Sequence, residues 1–390
     1  MSTTTALTDP PSDLAPRIRS NDPDAHEVPN GREEEWRFTP IARIADFFEA
    51  QAWASIGAEC GEGAEEFVSI REVDDPSGAS AASAVEQAAG WQATDRPSAV
   101  ARSNAAQVVA VSIPAEREVA DVIVVDLQAG GEANYARIEI EAGPFSKATV
   151  VLRHDMTADA NGVIVTNVSD QANLTVLNMY DGPRMSRHAW QWAATVGRDA
   201  TFLGLTITLG GSFVRLVPSV RYAGPGGSGE MLGAFLATDG QFQEFRLLVD
   251  HNEPHCTSNV VFKGALAGSD THTVWIGDVL VRREAVGIET YEMNRNLLLE
   301  DGPRADSVPN LELETGDVVG AGHASATGRF DDEQLFYLQS RGIPEALARQ
   351  LVVRGFFVDV LDKVADETLR ADVLRRIEER IGMEALEVSA

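Results

Sequence analysis

The stretch Asp317–Gly342, DVVGAGHASATGRFDDEQLFYLQSRG, divides the chain into two kinds of sequence. Its first part is a hairpin-like segment of small residues around His323, and its second part begins an acidic helix at Asp331 and Asp332. Before this stretch the chain is rich in short β-prone runs, whereas after it apolar residues recur at helical spacing. The stretch therefore predicts where a β-rich core passes into a helical domain.

The composition predicts a cytoplasmic protein with a large core. The chain has 390 residues, of which 44% are hydrophobic. No run approaches the roughly 18 uncharged apolar residues that a membrane helix needs, and the N-terminal residues lack the apolar centre of a secretory signal. Only two cysteines occur, Cys60 and Cys256, which fits a reducing compartment. Two thiols cannot by themselves supply a cluster site of four thiolates.

The charge excludes whole classes of partner. Sixty acidic residues against 32 basic ones give a net charge of −28, which repels a phosphate backbone and an anionic membrane. We therefore expect neither nucleic acid binding nor membrane insertion. A basic protein partner, or simple solubility, is the better interpretation of the charge.

The first 107 residues predict two segments. Residues 1–30 carry prolines and acids without apolar periodicity and predict a disordered tail. Residues 31–107 predict a helical or irregular segment, with Thr39 as a helix N-cap, Pro40 in the first turn, and a second helix over 82–90.

Residues 108–328 predict a β-rich core of some two hundred residues without an intervening helix. Turn-forming sequences such as AGPFS, TADANG and AGPGGSG separate the runs, and residues 188–196 alternate as on a strand. This length suits either two packed sheets or a β-solenoid in which each turn stacks on the previous one. No repeat of fixed length decides between them.

Residues 329–390 predict a helical domain. Asp331 or Asp332 caps a short helix that Gly342 ends, and Pro344 opens a longer one. A last helix follows over 367–381.

Aromatic and aliphatic residues at the start of this domain are more apolar than a solvent-facing surface needs. They predict either the inner face of the helical unit or a docking surface for another protein. The residues are Leu335, Phe336, Tyr337 and Leu338, with Arg341 one turn further.

Two motifs suggest chemistry that their context does not support. The sequence GPGGSG at Gly224–Gly229 matches a dinucleotide fingerprint, but a strand-like run rather than a helix follows it, so we expect a corner of the core there. In DHNEPHCTSN, Pro254 separates His251 from His255 and prevents a shared metal site on a helix. An activated Cys256 beside His255 stays open, although a buried thiol is the more common use of cysteine.

His323 lies among small residues in GAGHASATG, where another backbone or an ion can approach closely. Imidazole is a good iron ligand, but one histidine does not make a site, so the other ligands must come from elsewhere or from another chain. Without them, His323 is an ordinary histidine of a loop.

Several blocks in one order resemble the SufB/SufD family of iron–sulfur cluster assembly scaffolds, and its SufD branch more than SufB. The resemblance is clear over about 250–360 and weaker around GREEEWRFTP. The blocks are DHNEPH, FKGAL, NRNLLL, PNLEL, Asp317-Val318, His323, DEQLFYL and Ser340-Arg341-Gly342-Ile343.

The resemblance implies a right-handed parallel β-helix between an N-terminal helical segment and a C-terminal helical domain. It implies a non-catalytic scaffold subunit that pairs with a SufB-like subunit and binds the SufC-like ABC ATPase through its C-terminal helices, at Leu335–Leu338 and Arg341. ATP hydrolysis is expected from that partner, because the chain has no Walker A loop.

The resemblance also implies that the chain binds no cofactor alone and that a transient iron–sulfur cluster forms at the partner interface. His323 matches a SufD histidine implicated there and is a candidate metal ligand completed by the partner chain. Many SufD proteins carry a cysteine two residues before that histidine, whereas this chain has Ala321. His323 is therefore expected to act alone from this side, with thiolates from the partner. The alternatives are a structural homodimer without a cluster role and a solenoid enzyme acting on polysaccharide.

Overall fold

The core of the protein is a parallel β-solenoid of about eight turns, with helices at both ends of the chain. The computed structural model describes residues 14–16, 18–73, 82–238, 240–330 and 332–387. None of the helices in these ranges is long and apolar enough to cross a membrane.

The described residues form nineteen strands, five α-helices and three 3-10 helices. The strands are β1 Ala54–Ser55, β2 Gly57–Cys60, β3 Val68–Glu72, β4 Gln107–Ile113, β5 Ile123–Gln128, β6 Ala133–Ala142, β7 Lys147–Arg153, β8 Asp159–Val168, β9 Asn173–Tyr180, β10 Arg187–Val196, β11 Thr201–Thr208, β12 Phe213–Tyr222, β13 Ser228–Ala237, β14 Phe242–His251, β15 Thr257–Leu266, β16 His272–Val281, β17 Ile288–Leu298, β18 Arg304–Leu313 and β19 Val318–Arg329. The α-helices are α1 Ala84–Ala88, α2 Arg96–Asn104, α3 Asp332–Ser340, α4 Glu345–Leu361 and α5 Glu367–Glu387, and the 3-10 helices are Pro23–Ala25, Glu34–Trp36 and Ile41–Phe48.

Alternate strands belong to two facing sheets. Sheet A has the order β18-β16-β14-β12-β10-β8-β6-β4-β3, with β1 also paired to β6, and sheet B has the order β19-β17-β15-β13-β11-β9-β7-β5-β2. Ala133 pairs with Asp159, 26 residues on, whereas His272 pairs with Arg304, 32 residues on. Because the turns differ in length, the solenoid leaves no repeat of fixed period in the sequence.

Glycines opposite aromatic rings allow the interior of the solenoid to close. Phe235 pairs with Gly264, and Gly233 pairs with Phe262 on the same two strands. A Cβ atom on either glycine would collide with the facing ring. Each bulky ring therefore uses space that its neighbour leaves free, and the interior packs without separating the turns.

The N-terminal segment covers the outer face of sheet A. Trp36, Phe47 and Phe48 are buried there against strand residues that include Phe213 and Val274. Thr39 does not cap the 3-10 helix at Ile41–Phe48, which has no side-chain cap; its hydroxyl instead donates to Glu244 Oε2 at 2.6 Å. The sequence predicts Thr39 as a helix cap, but in the structure its side chain pairs with the buried carboxylate of Glu244 instead.

The segment predicted as a tail makes polar contacts where it is described. The backbone N–H of Ser20 donates to the carbonyl of Ala93, and Arg96 Nη1 donates to the carbonyls of Pro23 and His26. These polar contacts involve a segment that lacks apolar periodicity. Residues 1–13 and 17 lie outside the described residues. The helix predicted over 82–90 is present as α1, capped by Ser83.

The C-terminal helices cover the outer face of sheet B. Apolar residues of α4 and α5, including Val353, Phe357 and Val373, pack on strand residues such as Leu205 and Leu232. Position Asp331, predicted with Asp332 to start α3, lies outside the described residues.

Several polar contacts fix these helices to the solenoid. Lys263 Nζ on β15 donates to the carbonyl of Phe356 at 2.9 Å and to Asp359 at 2.5 Å. Arg376 and Arg380 on α5 both pair with Asp181. Lys363, just after α4, adds a further contact with Glu230 on β13 at 3.3 Å, so the helical unit is anchored to the solenoid at several points.

Replacement of Gly264 with alanine is expected to destabilise the protein, because the added methyl group has no space beside Phe235. Overpacking of this kind costs about 1–3 kcal/mol. Chemical denaturation followed by circular dichroism measures it. Gly355→Ala is the matched control, since Gly355 lies exposed on α4 with no atom near its Cβ position. Equal midpoints for the two variants would contradict the packing account.

A second prediction concerns acid sensitivity. Trp190 Nε1 donates to His188 Nδ1, and His188 Nε2 donates to the carbonyl of Ala158, so the neutral ring has both nitrogens satisfied. Burial lowers the pKa of His188 to about 4, against the opposing effects of the Ala158 carbonyl and of Asp155. The unfolded chain takes up this proton below about pH 6.5. The free energy of unfolding should therefore fall as the pH falls from about 6.5 to 4.

His188→Gln should reduce that fall by on the order of 1 kcal/mol or more. Urea denaturation of both proteins at several pH values in this range measures the difference. Equal slopes would show that protonation of His188 is not a source of the acid sensitivity.

Candidate functional site

The two ends of the solenoid differ in the length and the pairing of their last strands. At the N-terminal end, β2 and β3 are short strands that pair antiparallel to β5 and β4. At the C-terminal end, β18 and β19 have 10 and 12 residues, and in the described part of the chain each has a strand neighbour on one side only. Long edges of this kind are sites where another chain can add strands. The C-terminal end, formed by β18 and β19, is called the open end below.

His323 lies in the open end, on β19, and not in a hairpin or a loop. It is in register with Glu292 on β17. Because Glu292 is fully buried in the interior, the pairing places the imidazole on the same inward face, where its side chain remains 44% exposed. Ala321, two residues earlier, shares this face. Position 321, where the resemblance leads one to expect a cysteine, therefore lies on the same face as His323.

One row of register-paired residues, which runs from strand to strand, changes from apolar to polar at the open end. Met231, Val260, Glu292 and His323 follow one another across β13, β15, β17 and β19. The first two are buried apolar residues, and the last two are an acid and an imidazole. The apolar interior of the solenoid thus ends in a pair of titratable groups.

The Glu292 carboxyl group makes no hydrogen bond of ordinary geometry among the described residues, although neither oxygen is exposed to solvent and the backbone N–H of Asn310 lies close enough to act on its pKa. A Cβ atom on Gly277, across the interior on β16, would collide with Glu292 Oε2. Glycine at position 277 therefore makes the space that this carboxyl group occupies.

The surroundings of Glu292 oppose a negative charge. Burial raises its pKa to about 8, the charge of Asp278 adds to the rise, and the backbone N–H of Asn310 partly opposes it. Glu292 Oε1 lies 3.8 Å from His323 Nδ1, which is longer than a hydrogen bond. A carboxylate in such a position is stabilised by any cation that comes to lie beside it.

Neighbouring positions on the same two strands are also polar. Asn296 Nδ2 donates to Asn294 Oδ1 at 2.8 Å, and Asn294 Nδ2 donates to the carbonyl of Phe262. Their register partners on β19 are Ser325 and Thr327. The open end thus presents polar inward-facing side chains, in contrast to the apolar turns below it.

The other histidine and cysteine candidates do not join this site. Burial raises the pKa of the Cys256 thiol to about 11, so the thiol is not an activated nucleophile. Burial lowers the pKa of His251 to about 4, and His255 is exposed at the following corner with φ +60°. Within the described residues, no three side chains of His, Cys, Asp or Glu are grouped so as to hold a metal ion.

The glycine-rich sequence at Gly224–Gly229 forms the corner between β12 and β13, with Gly226 at φ +77°. A strand follows it, so the helix N-terminus that binds a pyrophosphate is missing at this position. The predicted corner is confirmed.

The predicted docking residues on α3 divide between the inside and the surface. Leu335 is buried and Leu338 is partly buried, whereas Phe336 and Tyr337 are 72% and 56% exposed. The guanidinium of Arg341 lies 5.1 Å from the centre of the Tyr337 ring. The two aromatic side chains are therefore not part of the inner face of the helical unit.

Sequence reasoning missed Glu292. The available signal was the alternation in Ile288–Leu298, in which every second residue faces inward and one of these is an acid. That alternation becomes informative only after the strand and its inward face are known.

Comparison with known proteins agrees with this architecture. Residues 125–356 match the family model described as "SUF system FeS cluster assembly, SufBD core domain". The chain is 43% identical over 372 residues to an iron–sulfur cluster assembly SufBD family protein of Mycobacterium tuberculosis, covering 93% of this chain and 91% of the relative.

Two further relatives extend the comparison. A SufBD family protein of Mycobacterium leprae is 42% identical over 370 residues, covering 93% of each chain. The iron–sulfur cluster assembly protein SufD of Escherichia coli is 28% identical over 259 residues, covering 65% of this chain and 61% of the relative. The family match spans more than half of the chain, and it includes the strands that carry Glu292 and His323. The protein therefore belongs to the SufBD family of the SUF iron–sulfur cluster assembly system.

Proposed function

We propose that the chain is a SufD-type scaffold subunit whose open end pairs with a SufB-type subunit, so that a nascent iron–sulfur cluster forms between the two. The observation that supports this most directly is the position of His323 on the edge strand β19, which within the described residues has a strand neighbour only on the β17 side. A ligand at an edge is accessible to a second chain and is incomplete without one. Two solenoids that join through such edges continue the hydrogen-bonding ladder across the interface.

The residues at this edge indicate which cluster ligands come from this chain and which come from the partner. Position 321 is alanine, and Cys256 is buried with a raised pKa, so this chain offers imidazole and not thiolate at the open end. Fe–S clusters are held mainly by thiolates, with histidine as the usual substitute. The SufB-type partner supplies the thiolates and this chain supplies His323.

The C-terminal helices are the proposed docking site for a SufC-type ABC ATPase, which hydrolyses the ATP. Phe336 and Tyr337 are large apolar side chains exposed on α3, and aromatic residues of this kind are typical centres of protein interfaces. Leu335 is buried and Leu338 is partly buried on the same helix, and the Arg341 guanidinium lies over the Tyr337 ring. The chain itself acts as a non-catalytic subunit in the cytoplasm.

The open end would also accept a second copy of this chain, as in the structural homodimer. Pairing of identical ends needs a self-complementary surface. Native mass spectrometry of the complex isolated from its own cells separates the two arrangements. A complex of this chain with itself alone, unchanged when the SufB-type subunit is added, would overturn the proposed heterodimer.

Replacement of His323 with alanine is expected to lower cluster formation by the assembled complex while leaving the complex intact. The imidazole is a ligand in the proposal, and its ring is 44% exposed, so its loss should not unfold the strand. Cluster formation is followed by absorbance after anaerobic addition of iron and sulfide. His272→Ala is the matched control, because His272 on β16 already pairs with Asp306 at 2.7 Å. Full activity of the His323→Ala complex would remove His323 from the proposed mechanism.

Charge introduced at the exposed aromatic pair should release the ATPase partner. The double variant Phe336→Asp, Tyr337→Asp removes two exposed rings without altering the buried Leu335. An interface centred on such residues should weaken by at least about 2 kcal/mol, or roughly thirtyfold in Kd. Co-purification and surface plasmon resonance measure the change, with Met185→Asp, at an exposed apolar residue outside the helical domain, as control. Unchanged binding would place the ATPase elsewhere on the protein.

A further inference from the structure

Glu292 is a buried acid that the function proposed above does not use. Both carboxyl oxygens are shielded from solvent. Buried carboxylates are normally paired, hydrogen-bonded or bound to a metal. Glu292 has the His323 imidazole at 3.8 Å and the backbone N–H of Asn310 near it, but within the described residues it makes no hydrogen bond of ordinary geometry, so its burial needs an explanation.

The distance between Glu292 and His323 indicates which interaction the two side chains can make. Glu292 Oε1 and His323 Nδ1 are 3.8 Å apart. A hydrogen bond between them would require about 2.7–3.2 Å. Nitrogen and oxygen ligands each lie about 2.1 Å from a bound metal ion, so two ligands of one ion are at most about 4.2 Å apart. The observed separation fits two ligands of a single ion.

The surrounding residues keep this space available. Gly277 leaves room for Glu292 Oε2, and no side chain at that position competes with the carboxyl group. His323 lies on the edge strand with its ring 44% exposed, so an ion can approach from the open end. The net charge of −28 raises the local concentration of cations at the protein surface.

We propose that Glu292 and His323 together form a half-site that binds a divalent metal ion, with ferrous iron as the ion taken up during assembly. Imidazole and carboxylate are a ligand pair suited to ferrous iron, whereas neither is suited to holding sulfur. This chain thus supplies an iron-binding half-site, and water or the partner subunit completes the coordination. The identification of the ion as iron rests on the proposed function; the pairing of the two ligands rests on the geometry alone.

The test uses the full chain without partners and the metal alone. Anaerobic titration with Fe²⁺, and with Co²⁺ as a spectroscopic probe, should show one site in the wild-type protein. Glu292→Gln and His323→Ala should each weaken that site by at least about tenfold, as loss of a metal-ligand contact does. Asp306→Asn is the matched control, because Asp306 lies on the neighbouring edge strand β18 but already pairs with His272 and Arg304.

A second variant distinguishes loss of the metal site from loss of folding. Glu292→Leu fills a similar volume without a polar group, so it should unfold at the same temperature as the wild-type protein or higher, and still lack the metal site. Retention of the site in Glu292→Gln or in His323→Ala would overturn the paired half-site, as would the absence of any site in the wild-type chain.

These outcomes are independent of the proposed function. A chain that loses Fe²⁺ binding in both variants but never joins a SufB-type subunit would retain the half-site and lose the scaffold assignment. A complex that assembles clusters normally with Glu292→Gln, while the isolated variant binds Fe²⁺ like the wild type, would retain the scaffold assignment and lose the half-site.

Discussion

The hydrogen-bonding ladder of a parallel solenoid has to stop somewhere, and the strand at which it stops leaves a row of unpaired backbone groups. At the N-terminal end this protein places two short antiparallel strands, β2 and β3, so that only a few groups remain. At the other end, within the described residues, β18 and β19 remain long and unpaired on one side. Such edges promote association with other chains. The difference between the two ends therefore directs association to the end that carries His323.

The interior of the solenoid changes where the ladder stops. In the middle turns, aromatic rings and glycines alternate across neighbouring strands, as Phe235 and Gly264 do, and the interior is closed by packing. In β17 and β19, the last two strands of sheet B, the same inward positions carry Glu292, Asn294, Asn296 and His323. A buried polar group without a close hydrogen bond, as Glu292 is, lowers the stability of the terminal turns when the chain is alone. A partner that satisfies these polar groups would therefore stabilise the open end.

The sequence predicts the solenoid better through its family motifs than through its periodicity. The steps between paired residues range from 26 to 32, so no fixed repeat is visible, and two packed sheets were an equally valid expectation. The corner at Gly224–Gly229 was predictable because a helix must follow a dinucleotide motif and a strand does instead. Thr39 and the segment 18–30 were not predictable, because their partners Glu244 and Arg96 are distant in sequence.

In the candidate site, too, the sequence predicts one residue and not the other. His323 was identified from its small neighbours and from its match to a family histidine, whereas Glu292 has no local signature. Its significance comes from three features that only the fold brings together: the register with His323, the inward face of β17, and the missing side chain of Gly277. Likewise, the sequence could not decide whether Phe336 and Tyr337 face inward, since exposure depends on how α3 lies against its neighbours.

The contacts of Lys263 connect the two functional regions. Its ammonium group binds the carbonyl of Phe356 and the carboxylate of Asp359 on α4, while its own strand, β15, lies directly beside β17. A partner that displaced the C-terminal helices would therefore act on the strand next to Glu292 through a short ion pair, in which Lys263 is buried and Asp359 is exposed. Because packed strands move as units and not as a soft continuum, a small shift of β15 would change the register contacts of β17 and β19 together. If the proposed ATPase partner moves α4, this contact would carry the movement to the strand beside Glu292.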